Sequence, residues 1–227
     1  MILKQSFPRL TPELLDKTDA ILKEKFGYSP LPEDYRRFML QQNGGFVSPG
    51  FIDDTDDAHT QEIVFDTPLT WARDNNRPVT PCLIMFFGIW LEDMQGADIE
   101  NEELYDLVLS NEHSRYDFDV LPDNMMSIAK CSYPDAADML CLSLGGADYG
   151  AVYYNYGMCD HPAKFHGNYY EEKAKLVFEK HGITADELDE ETEEGQRVVD
   201  DLKRATFVKI ADSFEEFLRS CKIAPVP

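Results

Sequence analysis

Hydrophobic positions along the first forty-five residues recur at helical spacing. Thr11-Pro12-Glu13 sets a capping side chain before a proline at the first helical position, an arrangement that favours a helix start. Leu14, Leu15, Thr18, Ile21, Leu22 and Phe26 then form one stripe, and Gly27 ends it. A second helix is predicted from Pro32, with Tyr35, Phe38 and Met39 on one face and Asn43-Gly44-Gly45 as a left-handed stop. Only Tyr28-Ser29-Pro30-Leu31 separates the two, so they are expected to pack as an antiparallel pair.

The pattern then changes to strands. Phe46 to Ile52 is a candidate first strand, interrupted by Pro49-Gly50; Ile63-Val64-Phe65 is a second. Leu83 to Leu91 is a near-continuous apolar run suited to the centre of a sheet. From Glu92 to Asp123 the chain turns acidic, with a short helix expected over Leu104 to Leu109. Met126 to Ala129 and Met139 to Ser143 are further strands. The Gly145 to Gly150 turn joins the latter to Ala151-Val152-Tyr153-Tyr154-Asn155-Tyr156, which predicts an antiparallel hairpin with a wide or bulged loop.

The last third reads as helical. Tyr170, Ala174, Val177, Phe178 and His181 share a face that ends at Gly182. Thr184-Ala185-Asp186-Glu187 has the capping-box pattern and is expected to open an acidic helix running through Leu188, Val198, Val199 and Leu202. Phe207 to Ile210 predicts a strand. Ser213-Phe214-Glu215-Glu216 is a second capping box, opening a helix with Phe214, Phe217, Leu218 and Cys221 at i, i+3, i+4 and i+7. Without internal repeats or a low-complexity linker, one domain over 1–227 is expected. Its predicted class is α+β: a mixed, mainly antiparallel central sheet flanked by helices.

Composition narrows the function. The chain of 227 residues carries 43 acidic against 21 basic side chains, a formal net charge of −22. Such a field repels nucleic acid and anionic headgroups and attracts basic partners, faster at low salt. Acidity also serves solubility alone, and any single acidic run can be no more than a solvated face. Hydrophobic residues at 43% and charged residues at 28% fit a globular chain. No apolar run approaches the ~20 residues that span a bilayer. The N-terminus lacks an apolar core, so no signal peptide is expected. Five widely spaced cysteines, without a CxxC, do not form a secreted disulfide framework. A reducing cytoplasm is the expected location.

Three blocks carry a resemblance. Leu31-Pro32-Glu33-Asp34-Tyr35-Arg36-Arg37-Phe38-Met39-Leu40-Gln41-Gln42-Asn43-Gly44-Gly45 resembles the signature of the SUKH superfamily: Leu-Pro, then a Tyr and a Phe on one helical face, then Asn-Gly-Gly. Met126 to Ala129, Met139 to Leu142 and Gly150 to Tyr154 resemble its central strand block. Ile210 to Leu218 is similar to its closing strand and Ser-Phe-x-x-Phe-Leu helix. Cys131 to Asp138 stands where the superfamily usually has an Asp-x-Gly-Gly-Asn turn, and Tyr154-Asn155-Tyr156 where an aromatic-Trp pair often follows. Extra material lies near 92–123 and 160–205. The resemblance implies a binding role: immunity proteins that neutralise polymorphic bacterial toxins, or, in a fungal branch, regulators of cell-wall synthesis acting through protein contacts.

Candidate chemistry is sparse. Cys159, His161 and His166, with Cys131 or Cys141, supply one half of a zinc-type ligand pattern and lack the other. A Cys–His nucleophile lacks its surrounding signature, and acidic neighbours raise a thiol pKa. Gly145 to Gly150 lacks the Lys-Ser/Thr of a phosphate loop and precedes a strand. Asp53-Asp54-Thr55-Asp56-Asp57 lacks the central glycine and closing glutamate of a calcium loop. No catalytic, metal or cofactor residue is therefore assigned. The expectation is an immunity protein that binds a basic toxin domain, with Asp53, Asp54, Asp56 and Asp57 as a charged rim and the acidic run from Asp186 to Glu194 as a second surface. An intracellular regulatory scaffold without a toxin partner is the alternative, and a metal- or thiol-dependent enzyme is a third reading.

Overall fold

The structure, a computed structural model, describes residues 3, 7–46, 62–65, 69–74, 77–79, 81–90, 105–133, 138–156 and 169–224. Helix α1 (Pro12–Phe26) starts where the side chain of Thr11 accepts the Leu14 N–H and ends on left-handed Gly27. Its buried stripe is Leu15, Thr18, Leu22 and Phe26. The Thr18 hydroxyl satisfies itself by donating to the Leu14 carbonyl at 2.9 Å. Helix α2 (Glu33–Gln41) buries Tyr35, Phe38 and Met39. Arg36 ties it back to α1 through Asp19 and Asp16, while Asp19 also accepts the Leu31 N–H at 3.0 Å.

The exit from α2 explains its Asn-Gly-Gly. Gln42 is already extended, so the left-handed turn falls on Gly44, two residues past the cap, within the expected Asn43-Gly44-Gly45 stop. Asn43 is buried and spends its amide as a staple: Nδ2 donates to the carbonyls of Pro8 and Ile89, and Oδ1 accepts the Ile89 N–H at 2.7 Å. Gly44 has φ +61°, and a Cβ there would lie 2.5 Å from the Phe87 carbonyl. Conformation and space both demand glycine.

The strands are β1 (Gly45–Phe46), β2 (Glu62–Phe65), β3 (Leu69–Asp74), β4 (Arg77–Val79), β5 (Cys82–Phe86), β6 (Met125–Tyr133), β7 (Met139–Ser143), β8 (Val152–Asn155), β9 (Phe207–Ala211) and β10 (Cys221–Ala224). The main sheet runs β10-β2-β5-β6-β7-β8-β9, with β1 continuing beside β5 past the end of β2. Strands β3 and β4 form a separate hairpin. Among the described residues every strand pair is antiparallel, so the parallel component expected of a mixed sheet reduces to one isolated bridge, Gly88 to Asp106. The β7–β8 hairpin forms as predicted, with a one-turn helix over Gly146–Asp148 in its wide loop.

Edge strands β9 and β10 are joined only by Asp212, Ser213 and the short helix α6 (Phe214–Ser220). That connection reaches roughly 24 Å at full stretch. Crossing a flat sheet of seven strands takes roughly 29 Å. The sheet must therefore curl, with α6 laid across its hollow. Phe214 and Phe217 of α6 are buried there against Tyr35, Phe38, Phe65 and Phe86, with ring centroids 4.8 to 6.5 Å apart. Cys221, expected on the helix, instead opens β10.

The opposite face of the sheet buries a smaller group, Leu121, Met125, Met139, Cys141 and Phe207. Burial on both faces is why β6 and β7 read as apolar runs without alternation. Helix α3 (Leu107–Glu112) begins three residues later than expected, capped by Asp106, and is pinned to β6 by buried Asn111, which exchanges hydrogen bonds with the Ser127 backbone. A π-helical turn, His113–Asp117, follows it. Helix α4 (Tyr169–His181) buries no residue completely. The Thr184 capping box forms, but it opens a single turn, Ala185–Glu187; α5 (Glu193–Ala205) starts afresh from Thr192.

Candidate functional site

The residues of the sequence signature face inward. Leu31, Pro32, Tyr35, Phe38, Asn43, Gly44 and Gly45 are all buried, so they build the junction between helix and sheet and offer nothing to a partner. Asp53, Asp54, Asp56 and Asp57 lie outside the described residues, as do Cys159, His161 and His166. Among the described residues no three His, Cys, Asp or Glu side chains are grouped to hold a metal ion. Burial pushes the Cys141 thiol far above its ordinary range, the opposite of what a nucleophile needs. Among the described residues no helix is long and apolar enough to cross a membrane.

Two accessible features remain, and they adjoin. The first is the acidic run. Asp186, Glu187, Asp189, Glu190, Glu191, Glu193 and Glu194 are all exposed. The described residues give a cationic partner only to Glu193, through Arg197 at 2.5 Å. Glu187 is held by its capping box, and the hydrogen bonds of Thr184 keep its carboxyl below the usual range.

The second feature is an open cleft of about 740 Å³ between the 115–123 segment, the end of α4 and α5. Its basic side chains already meet carboxylates: Arg115 meets Asp123, Lys180 and His181 meet Asp201, Arg197 meets Glu193 and Lys203 meets Asp119. Burial opposes the ionisation of Asp201, but the hydrogen bonds from Lys180 and His181 outweigh it and hold that carboxyl below its ordinary range. The cleft's charges are thus largely compensated by one another. Its ion pairs are partly solvated and exchangeable at little cost, a property that suits docking.

The rim of the cleft is aromatic. Tyr116, on the π-helical turn, lines it and is 60% exposed; Phe118, the cap that ends the turn, is 59% exposed, and Asp119 beyond adopts φ +52°. Arg115 fixes the base of this tip. Its guanidinium sits 5.2 Å over the Tyr28 ring and donates to the Pro122 carbonyl at 2.9 Å. The Tyr28 hydroxyl in turn donates to the Met125 carbonyl at 2.5 Å, and burial pushes its pKa up to about 12. π-Helical turns and left-handed non-glycine residues concentrate at functional sites. Neither is written in a local sequence motif.

Fold and surface together define a class: an α+β protein with a curled antiparallel sheet, closed inside and displaying charge and aromatic edges outside. The model of the SMI1 / KNR4 family (SUKH-1) matches residues 16–177, well over half of the chain, and the chain belongs to that family. The match includes the Leu31 to Gly45 block and the β6–β8 block, and leaves α5, β9, α6 and β10 beyond it. Comparison with curated proteins and with solved structures gives no match.

Proposed function

We propose that the protein is an immunity-type member of its family, which binds a basic toxin domain in the cytoplasm and blocks it by covering it. The observation that supports this is the exposed acidic run from Asp186 to Glu194, of which only Glu193 has a cationic partner among the described residues, on a chain of net charge −22. Opposite charge raises the rate of encounter and suppresses wrong partners, while the tightness comes from a few buried anchors. The four carboxylates of Asp53, Asp54, Asp56 and Asp57, close together in the sequence, are proposed as a further charged contact. Binding, not catalysis, is the activity.

The test is growth protection. Basic toxin domains sought among the neighbouring genes are expressed with and without the protein, and any complex is measured by titration at low and high salt. Protection is expected, with affinity falling as salt rises. Replacing the carboxylates of Glu190, Glu191, Glu193 and Glu194 by amides is expected to slow association. Toxicity unchanged by the protein, or a complex indifferent to salt, overturns the proposal.

A further inference from the structure

We infer that a small apolar hollow beside the acidic run is a socket for one large apolar side chain of the partner, presented between arginine or lysine residues. This rests on the protein-binding reading above. The hollow measures about 240 Å³ and is floored by Val120, Leu188, Val199 and Leu202, with Tyr170 of α4 as one wall. It is smaller than the roughly 300–1,000 Å³ of small-molecule sites, so its natural guest is a single side chain.

Among the described residues, folding leaves this apolar surface unexplained. Helix α5 already has its inward contact in Val198, which is wholly buried. Val199 and Leu202, three residues apart and so neighbours on one helical face, are only half-buried and form a second apolar stripe. Leu188 lies inside the acidic run, on the extended backbone that ends the one-turn helix. Val120 follows Asp119, whose left-handed backbone turns the chain past α5, and its neighbour Leu121 is the one that joins the buried cluster. Four segments far apart in sequence thus converge their leftover apolar side chains on one spot.

Charge decides the occupant. Asp119 and Glu190 line the hollow, and the exposed carboxylates of Asp186, Glu187, Asp189 and Glu191 belong to the turn that carries Leu188. Among the described residues the one lining cation, Lys203, is paired with Asp119 at 2.5 Å. An apolar seat within an acidic border matches a protein segment whose anchor is flanked by basic residues. That is the usual architecture of a binding hot spot: an apolar centre with a charged rim. Much of the socket lies past residue 177, beyond the part of the chain that the family model matches.

A labelled peptide Arg-Lys-Trp-Lys-Arg and its counterpart with alanine in place of tryptophan test the socket. At low salt the tryptophan peptide is expected to bind roughly tenfold more tightly, the effect of burying one large side chain. Only that peptide should move the methyl resonances of Leu188, Val199 and Leu202. Tyr170→Ala, at an exposed position, is expected to shrink the difference between the peptides several-fold without changing the melting temperature. Glu190→Gln should weaken both peptides alike. Equal affinity of the two peptides, binding of neither, or a difference untouched by Tyr170→Ala overturns the socket. Growth protection uses none of these peptides, so it reports separately on the immunity reading.

Discussion

The curled sheet with α1, α2 and α6 and the helical arm of α4 and α5 are held together by different forces. In the first, Tyr35, Met39, Phe65, Phe86, Phe214 and Phe217 are essentially without exposure, and each aromatic ring is met by another. In the arm, α4 buries nothing completely and α5 only Gly195 and Val198. Val198 is wholly buried and Tyr169 packs on Tyr156 of the core, but the other attachments are polar: Lys203 to Asp119, Arg204 to Asn124 and Thr206 to Asn155, while Lys180 and His181 hold Asp201 within the arm. A dense apolar core fixes one backbone and tolerates little change. A solvated ion-pair attachment contributes less and leaves the exposed surface open to variation. The division lets a recognition surface diverge while the fold beneath it stays the same.

Substitutions at the two regions sharpen that contrast. Phe214→Ala removes the ring on which α2, β5 and α6 converge, and should cost about 3–5 kcal/mol in urea unfolding. A loss below about 1 kcal/mol would show that the core packs differently. Two buried tyrosines give a finer test within the core. The Tyr28 hydroxyl donates to Met125 and accepts from Arg115, so Tyr28→Phe is expected to cost about 1–2 kcal/mol. Among the described residues the Tyr35 hydroxyl has no hydrogen-bond partner, so Tyr35→Phe should be neutral or stabilising. Reversal of that order contradicts the assignment.

The smallest effect belongs to the arm. Asp201→Asn should raise amide exchange along α4 several-fold and shift global stability by less than about 1 kcal/mol. Because the folded pKa of Asp201 is depressed, its contribution is present above the ordinary aspartate value near 3.9 and fades as pH falls through the lower, folded value. Acid, not base, is therefore expected to loosen α4 through this carboxylate. Exchange rates of the variant that follow the parent at every pH would remove Asp201 from this role.

What the sequence revealed was what short stretches decide on their own. Thr11, Gly27 and Ser213 act on backbone groups within a few residues, and their caps appear where they were expected. The Leu31 to Gly45 block was legible because proline, aromatic pair and Asn-Gly each have a local task. Other features depended on distant partners. The Thr184 box was read correctly as a cap, yet a cap does not set helix length, and Leu188 turns extended before Thr192 starts α5. Cys221 continued a helical stripe, but its backbone pairs with Phe65 in β2. The β3–β4 hairpin gave no clear alternation and was missed. The apolar hollow joins Val120, Tyr170, Leu188, Val199 and Leu202, which no local pattern connects.

Hydrogen exchange of the protein alone and with the proposed basic toxin partner bound tests the central claim most directly. The expected result is new protection over residues 116–123 and 186–206, with the slow core of β5 to β8 unchanged. Protection confined to other surfaces, with the arm exchanging as freely as before, contradicts it.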